Sequence, residues 1–152
     1  MDTKDRRILE LLQQNALFTA AELADEVGLT TTPCWRRIQK LEEQGYITAR
    51  VALLDRQKMN VGVTVFVSVR TAQHSREWME RFLKALSETP EIVEAHRLSG
   101  DTDYLLRIVV PSIEEYDRLY KRLIRDLEFL DLSSSFSMEE LKSTTSIPVR
   151  HA

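Results

Sequence analysis

Apolar residues fall at helical spacing near the start of the chain, where Ile8, Leu11 and Leu12 recur between Thr3 and Asn15. This predicts a first helix over 3–15 that Thr3 can cap. Thr19-Ala20-Ala21-Glu22 has the form of a capping box and opens a second helix through Leu23, Ala24 and Val27. Gly28 supplies the left-handed residue that ends it. Thr30-Thr31-Thr32-Pro33 then begins a third helix, with Ile38 and Leu41 facing a core and Gly45 closing it. After Gly45, Tyr46–Arg50 and Val51–Leu54 read as two short strands, a small wing or connecting strand. Asp55–Gly62 is polar apart from Met59 and Val61 and reads as a hinge.

Beyond the hinge the period changes. Val63, Val65, Val67 and Val69 alternate with Thr64, Phe66, Ser68 and Arg70, a period of two that predicts a strand. Ser75–Ser87 is amphipathic, with Trp78, Phe82, Leu83 and Leu86 as its apolar stripe. Ile92–Leu98 and Tyr104–Val110 are strands around the turn Ser99-Gly100-Asp101-Thr102-Asp103, and Pro111 stops the second. Ser112-Ile113-Glu114-Glu115 has the capping-box form and starts a helix to about Leu127; a last strand covers roughly Asp131–Met138. The order β-α-β-β-α-β is that of a ferredoxin-like sheet with helices on one face. The fold class is therefore α+β, with residues 1–54 a (winged) helix-turn-helix domain, 55–62 a hinge and 63–152 the ferredoxin-like domain.

Composition narrows the class. Among 152 residues, 43% are hydrophobic and 30% charged, which fits a globular protein and excludes a disordered one. No apolar run approaches the roughly 20 residues that span a bilayer, so no membrane partner is expected. The charged N-terminus runs straight into a helical pattern, which argues against a signal peptide and for a cytoplasmic location. Cys34 is the only cysteine, so neither an internal disulfide nor a cysteine zinc site is available. His74, His96 and His151 are scattered, and no spacing suggests a metal site or a partnered catalytic nucleophile.

A net charge of −3 does not advertise a nucleic-acid binder. Residues 31–50, however, hold four basic side chains (Arg36, Arg37, Lys40, Arg50) against two acidic ones, Glu42 and Glu43. Phosphate attraction is screened over about 8–10 Å, so this local balance outweighs the sum. Two short helices about a glycine turn, the second opened by hydroxyls and rich in arginine, outline a helix-turn-helix whose recognition helix enters the major groove. Thr31, Thr32, Trp35, Arg36, Arg37, Lys40 and Arg50 are the candidate DNA contacts. Arg36 and Lys40 share one side at i and i+4, while Arg37 and Arg50 are expected to reach phosphates. Trp35 either touches the groove or, by the slightly stronger argument, packs in the core, since large aromatics mostly bury their area. Cys34 reads as a small packed residue before a redox sensor.

Several ordered stretches resemble the leucine-responsive regulatory protein (Lrp/AsnC, feast/famine) family. They are Asp5-Arg6-Arg7-Ile8-Leu9, Glu22–Thr30, Pro33–Ile47 and the signature Ser99-Gly100-Asp101-Thr102-Asp103-Tyr104-Leu105-Leu106. The resemblance covers almost the whole chain. It implies a transcription regulator bound to duplex DNA at an imperfect palindrome. It also implies a dimer whose C-terminal sheets pack together and which joins into tetramers or octamers, with nucleoid association in the cytoplasm. No cofactor is implied, but a small amino acid is expected as effector at subunit contacts near the Gly-Asp-x-Asp loop. For that effector, Gly100 lets the backbone approach closely, Ser99 and Thr102 flank it, and Asp101 and Asp103 are candidates to hold an ammonium with Ser134 or Ser135. Without the resemblance, the same residues read as an ordinary hairpin turn. Two alternatives share the scaffold: a decarboxylase of sirohaem-type tetrapyrroles and an architectural DNA-compacting protein.

Overall fold

Each helix of the first domain begins where its free amides find an acceptor. In the computed structural model, which describes residues 1–152, helix α1 (Thr3–Gln14) is capped by Asp2 and not by Thr3. The Asp2 carboxylate accepts from the Asp5 amide at 2.9 Å and the Asp5 carboxylate from the Asp2 amide at 3.0 Å. Two anions thereby sit at the positive end of the helix dipole, an arrangement a threonine cap cannot supply. Helix α2 (Ala20–Val27) has the expected reciprocal box between Thr19 and Glu22 and ends at Gly28, whose φ of +63° is the left-handed value that favours glycine. Helix α3 (Thr31–Glu43) carries Pro33 in its first turn, where no intrahelical amide is lost.

These helices close around Ile8, Leu11, Leu23, Ala24, Cys34, Ile38 and Leu41, all buried. The two short strands expected at Tyr46–Arg50 and Val51–Leu54 do not form. The Tyr46 and Ile47 amides instead bond back to the Leu41 carbonyl. Val51, Leu53 and Leu54 stay exposed, because the chain offers no strand to pair with them. Residues 141–152, assigned from sequence to the second domain, belong to this first unit together with residues 1–53.

Residues 54–140 form the second unit. Its elements are β1 (Val63–Arg70), α4 (Arg76–Ser87), β2 (Ile92–Arg97), β3 (Tyr104–Val110), α5 (Ile113–Asp126) and β4 (Asp131–Phe136). The sheet order is β2-β3-β1-β4 and every neighbouring pair is antiparallel, as the ferredoxin-like order requires. One face of the sheet packs Val65, Val67, Val69, Leu106 and Ile108 against Trp78, Phe82, Leu119 and Leu123 of the two helices. Trp78 and Phe82 stack with ring centres 4.9 Å apart, and the Trp78 indole donates to the Glu128 carbonyl at 3.0 Å. Leu83 is not part of the stripe; it is exposed, lying about 100° around the helix from Phe82. At Ser112 the hydroxyl caps the Glu115 amide, while the Glu115 carboxylate pairs with Arg118, so only half of the expected box closes.

Candidate nucleic-acid interface and effector site

Helix α3 divides its side chains by rotation. Cys34, Ile38 and Leu41 recur at i, i+4 and i+7 and form the buried face. Thr31, Thr32, Trp35, Arg36 and Lys40 fall on the exposed surface, with Thr32, Arg36 and Lys40 aligned in one i, i+4, i+8 row. Trp35 is 52% exposed, so the expected core packing is corrected: Cys34, one position earlier, takes the buried place. Burial pushes the Cys34 thiol up, outweighing the opposite pull of Arg37. That favours the neutral, unreactive form.

The four basic residues of this region separate into two kinds. Arg36 and Lys40 are exposed, and neither makes a hydrogen bond or an ion pair. Arg37, expected on a phosphate, has one guanidinium nitrogen 2.6 Å from Asp2 and 2.7 Å from Asp5. The Asp5 amide, and then Arg37, hold the Asp2 carboxyl down to about 2. Arg50 donates to Glu42 at 2.8 Å and to the Ala16 carbonyl at 3.3 Å. Both of these cations are engaged inside the domain. Lys4 adds a further brace, its ammonium 2.7 Å from the Gly28 carbonyl in the turn before α3. A sequence reading misses these partners because, Glu42 apart, they lie 24 to 35 positions away.

In the second unit the loop 99–103 is built on Gly100, whose φ of +111° requires glycine. The Asp103 carboxylate is already used, accepting from the Thr71 amide at 2.8 Å, while the Asp103 amide donates to Val69. Asp101 is exposed and unpaired, with Ser99 exposed and Thr102 half-buried beside it. Ser134 and Ser135 do not join this loop within one copy of the chain. Tyr104, next to the loop, pairs with Val69 on β1, whereas Ser134 and Ser135 pair with Val67 and Phe66. They therefore stand two strands across, about 10 Å away laterally. Ser134 points toward α5 and bonds to the Tyr116 hydroxyl, while Ser135 lies exposed on the opposite face.

Ser134 lines a groove of about 290 Å³ with Ile113, Tyr116, Asp117, Tyr120 and Phe136. Burial pushes the Tyr116 phenol up, which keeps it a neutral hydroxyl despite the Ser134 bond. Sequence reasoning did not single out the two tyrosines; their i, i+4 spacing on a helix with an apolar stripe was the available signal. No group of three or more His, Cys, Asp or Glu is arranged to hold a metal, and no helix is long and apolar enough to cross a membrane.

An exposed arginine-bearing second helix of a helix-turn-helix, joined to an α+β domain, defines a DNA-binding regulator with a separate sensing domain. Known proteins agree. Residues 1–48 match a winged helix-turn-helix DNA-binding domain and residues 64–147 the Lrp/AsnC ligand binding domain. The chain is 51% identical over 149 residues to the glutamate uptake regulatory protein of Zymomonas mobilis, covering 98% of this chain and 91% of that one. A crystal structure of an AsnC family transcriptional regulator from Agrobacterium tumefaciens superposes with a TM-score of 0.95 at 58% identity, covering 99% of both chains. A transcriptional regulator of Neisseria meningitidis in complex with L-Met superposes with a TM-score of 0.94 at 32% identity, covering 99% of this chain and 98% of that one. The chain belongs to the Lrp/AsnC family of DNA-binding transcription regulators, which carry an amino-acid-binding domain and are not enzymes. The decarboxylase alternative is thereby set aside.

Proposed function

We propose that the protein reads a specific, imperfectly palindromic DNA site with the exposed face of α3 and adjusts its assembly or DNA affinity when a small amino acid binds. The observation that carries the DNA assignment is the pair of unpartnered cations, Arg36 and Lys40, in one row with Thr32 and flanked by Thr31 and the exposed Trp35. An arginine at that place can pair with guanine, a lysine with phosphate, and the indole with a thymine methyl. Arg37 and Arg50 serve differently. They hold the recognition helix to α1 and to the loop after it. Self-pairing sets two recognition helices one helical turn of DNA apart, on a dimer that joins into tetramers or octamers on the cytoplasmic nucleoid.

For the effector, Gly100 and the unpaired Asp101 supply backbone amides and a carboxylate suited to the two ends of a free amino acid. Ser134 and Ser135 contribute only from another copy, since one copy holds them apart from the loop. The relative crystallised with L-Met makes an amino acid the first class to try. A gel shift on DNA upstream of the protein's own gene tests the reading. Arg36→Ala should weaken specific binding by about 1–3 kcal/mol. Equal affinity of the wild type for random DNA at physiological salt overturns it.

A further inference from the structure

The two ends of the chain meet on helix α1. Gln13 forms a reciprocal pair with the Ile147 backbone, donating to its carbonyl at 3.1 Å and accepting from its amide at 2.7 Å. The Arg6 guanidinium donates twice to the Ala152 main-chain oxygen, at 3.0 and 2.6 Å. Between these anchors Val149 packs against the helix-turn-helix core, inside a short 3-10 turn. The polar partners are few and mostly at exposed positions, so this contact can open without unfolding either unit.

What precedes the anchored segment gives it a purpose. Strand pairing beside β1 persists to Ser137, whose amide donates to the Thr64 carbonyl at 2.9 Å. Residues 138–146 are exposed, and extended they reach about 30 Å. The chain thus crosses between its two units twice, once outward before Leu54 and once back after Glu140. The returning segment is continuous with β4, which carries Ser134. The helix it grips is the one whose first turn holds Arg37 of α3 through Asp2 and Asp5, and whose Lys4 holds the turn at Gly28. One line of bonded elements therefore runs from β4 through residues 141–152 and α1 to the recognition helix.

We propose that residues 141–152 are a clasp through which amino-acid occupancy of the second domain reaches the DNA-reading helix. The proposal rests on the effector assignment above, that the second domain takes an amino acid. An effector that shifts β4 slackens or tightens the returning segment and so changes how α1 braces α3. A coupling of this kind is a difference in free energy between two arrangements, and here the clasp docked and the clasp released are those arrangements.

The test uses the full-length wild type, Gln13→Ala and the double variant Arg6→Ala/Gln13→Ala. Clasp docking is read by trypsin cleavage at Arg150, which lies inside the docked 3-10 turn. Calorimetry measures binding of each of the twenty amino acids, and fluorescence anisotropy measures affinity for duplex DNA with and without the one that binds. The wild type should shift its DNA affinity about fivefold or more on adding that amino acid, the lower end of ordinary allosteric coupling. Both variants should be cut faster and lose the shift, while each ligand alone binds within about threefold of the wild type. Variants that are cut faster yet keep the whole shift overturn the clasp. Loss of DNA binding in the variants without any amino acid also overturns it, since the segment is then only a structural part of the first unit. Amino-acid binding by the wild type without any shift sinks the clasp alone. No calorimetric binding of any of the twenty sinks the effector assignment and the clasp with it.

Discussion

The division of basic residues on α3 into free and engaged cations predicts how each responds to salt. Lys40 is exposed and unpaired, so on DNA it is available to displace counterions from a phosphate. Each phosphate neutralised contributes about 0.9 to the slope of log affinity against log salt. A dimer presents two recognition helices, so Lys40→Ala should lower the slope by about 1.8. Between 50 and 200 mM salt this makes the variant's loss of affinity roughly 12-fold smaller than that of the wild type. Arg37 should behave otherwise, because its charge is already matched by Asp2 and Asp5 at 2.6 and 2.7 Å. With a third of its side chain in solvent, the network is worth only about 0.5–1 kcal/mol after screening. Arg37→Ala should therefore lower stability to urea by that amount and leave the salt slope within about 0.3 of the wild type. Anisotropy titrations of a labelled duplex at four or five salt concentrations, paired with urea melts of the same samples, supply both numbers. An Arg37→Ala slope that falls as far as that of Lys40→Ala refutes the reasoning, since Arg37 must then leave its carboxylates for the phosphate backbone.

Two further outcomes follow from packing and titration. The Asp2 carboxyl titrates near 2 when folded, mainly because it accepts from the Asp5 amide and next because of Arg37, against about 3.9 for an unperturbed aspartate. A depressed folded value stabilises the fold above the unfolded one and loses that effect as pH falls through the folded one. The urea midpoints of wild type and Asp2→Asn should therefore differ above about pH 4 and converge toward pH 2; a gap that stays constant over that range contradicts it. In the second unit, Phe82 is buried at 2% exposure and stacks on Trp78. Phe82→Ala should cost about 3–5 kcal/mol in chemical denaturation, and a loss under 1 kcal/mol would show that the aromatic cluster re-packs.

Much of the fold is legible in the sequence because its signals are local. Thr19 and Glu22 are three residues apart, Gly28 sits where a helix must reverse, and Val63 to Val69 alternate with polar neighbours. Each follows from backbone chemistry within a few residues. Apart from the caps at Asp2 and Ser112, the departures are questions about distant partners or rotation. Whether Trp35 or Cys34 faces inward depends on the phase of α3 against Leu23 and Ile8, which spacing alone leaves open by one position. Arg37 and Arg50 look like free cations until α1 and the end of α3 bring carboxylates to them. The strands expected after Gly45 have suitable residues but nothing in the chain to pair with. At the loop 99–103 the sequence names the residue types an amino acid needs, yet not that Asp103 is spent on Thr71. Nor does any pattern announce that residues 141–152 pack with residues 1–53, with Val149 against their core.

That last arrangement has a bearing on how the protein is made. Domains generally fold from the N-terminus onward during synthesis, which adds about 5–20 residues per second. Residues 1–53 leave the ribosome first, yet a valine that packs against their core is residue 149. Roughly 5–20 s of translation separates the two at that rate, time in which the intervening 54–140 is built. The last segment to pack on the reader of DNA is thus synthesised after the sensor domain.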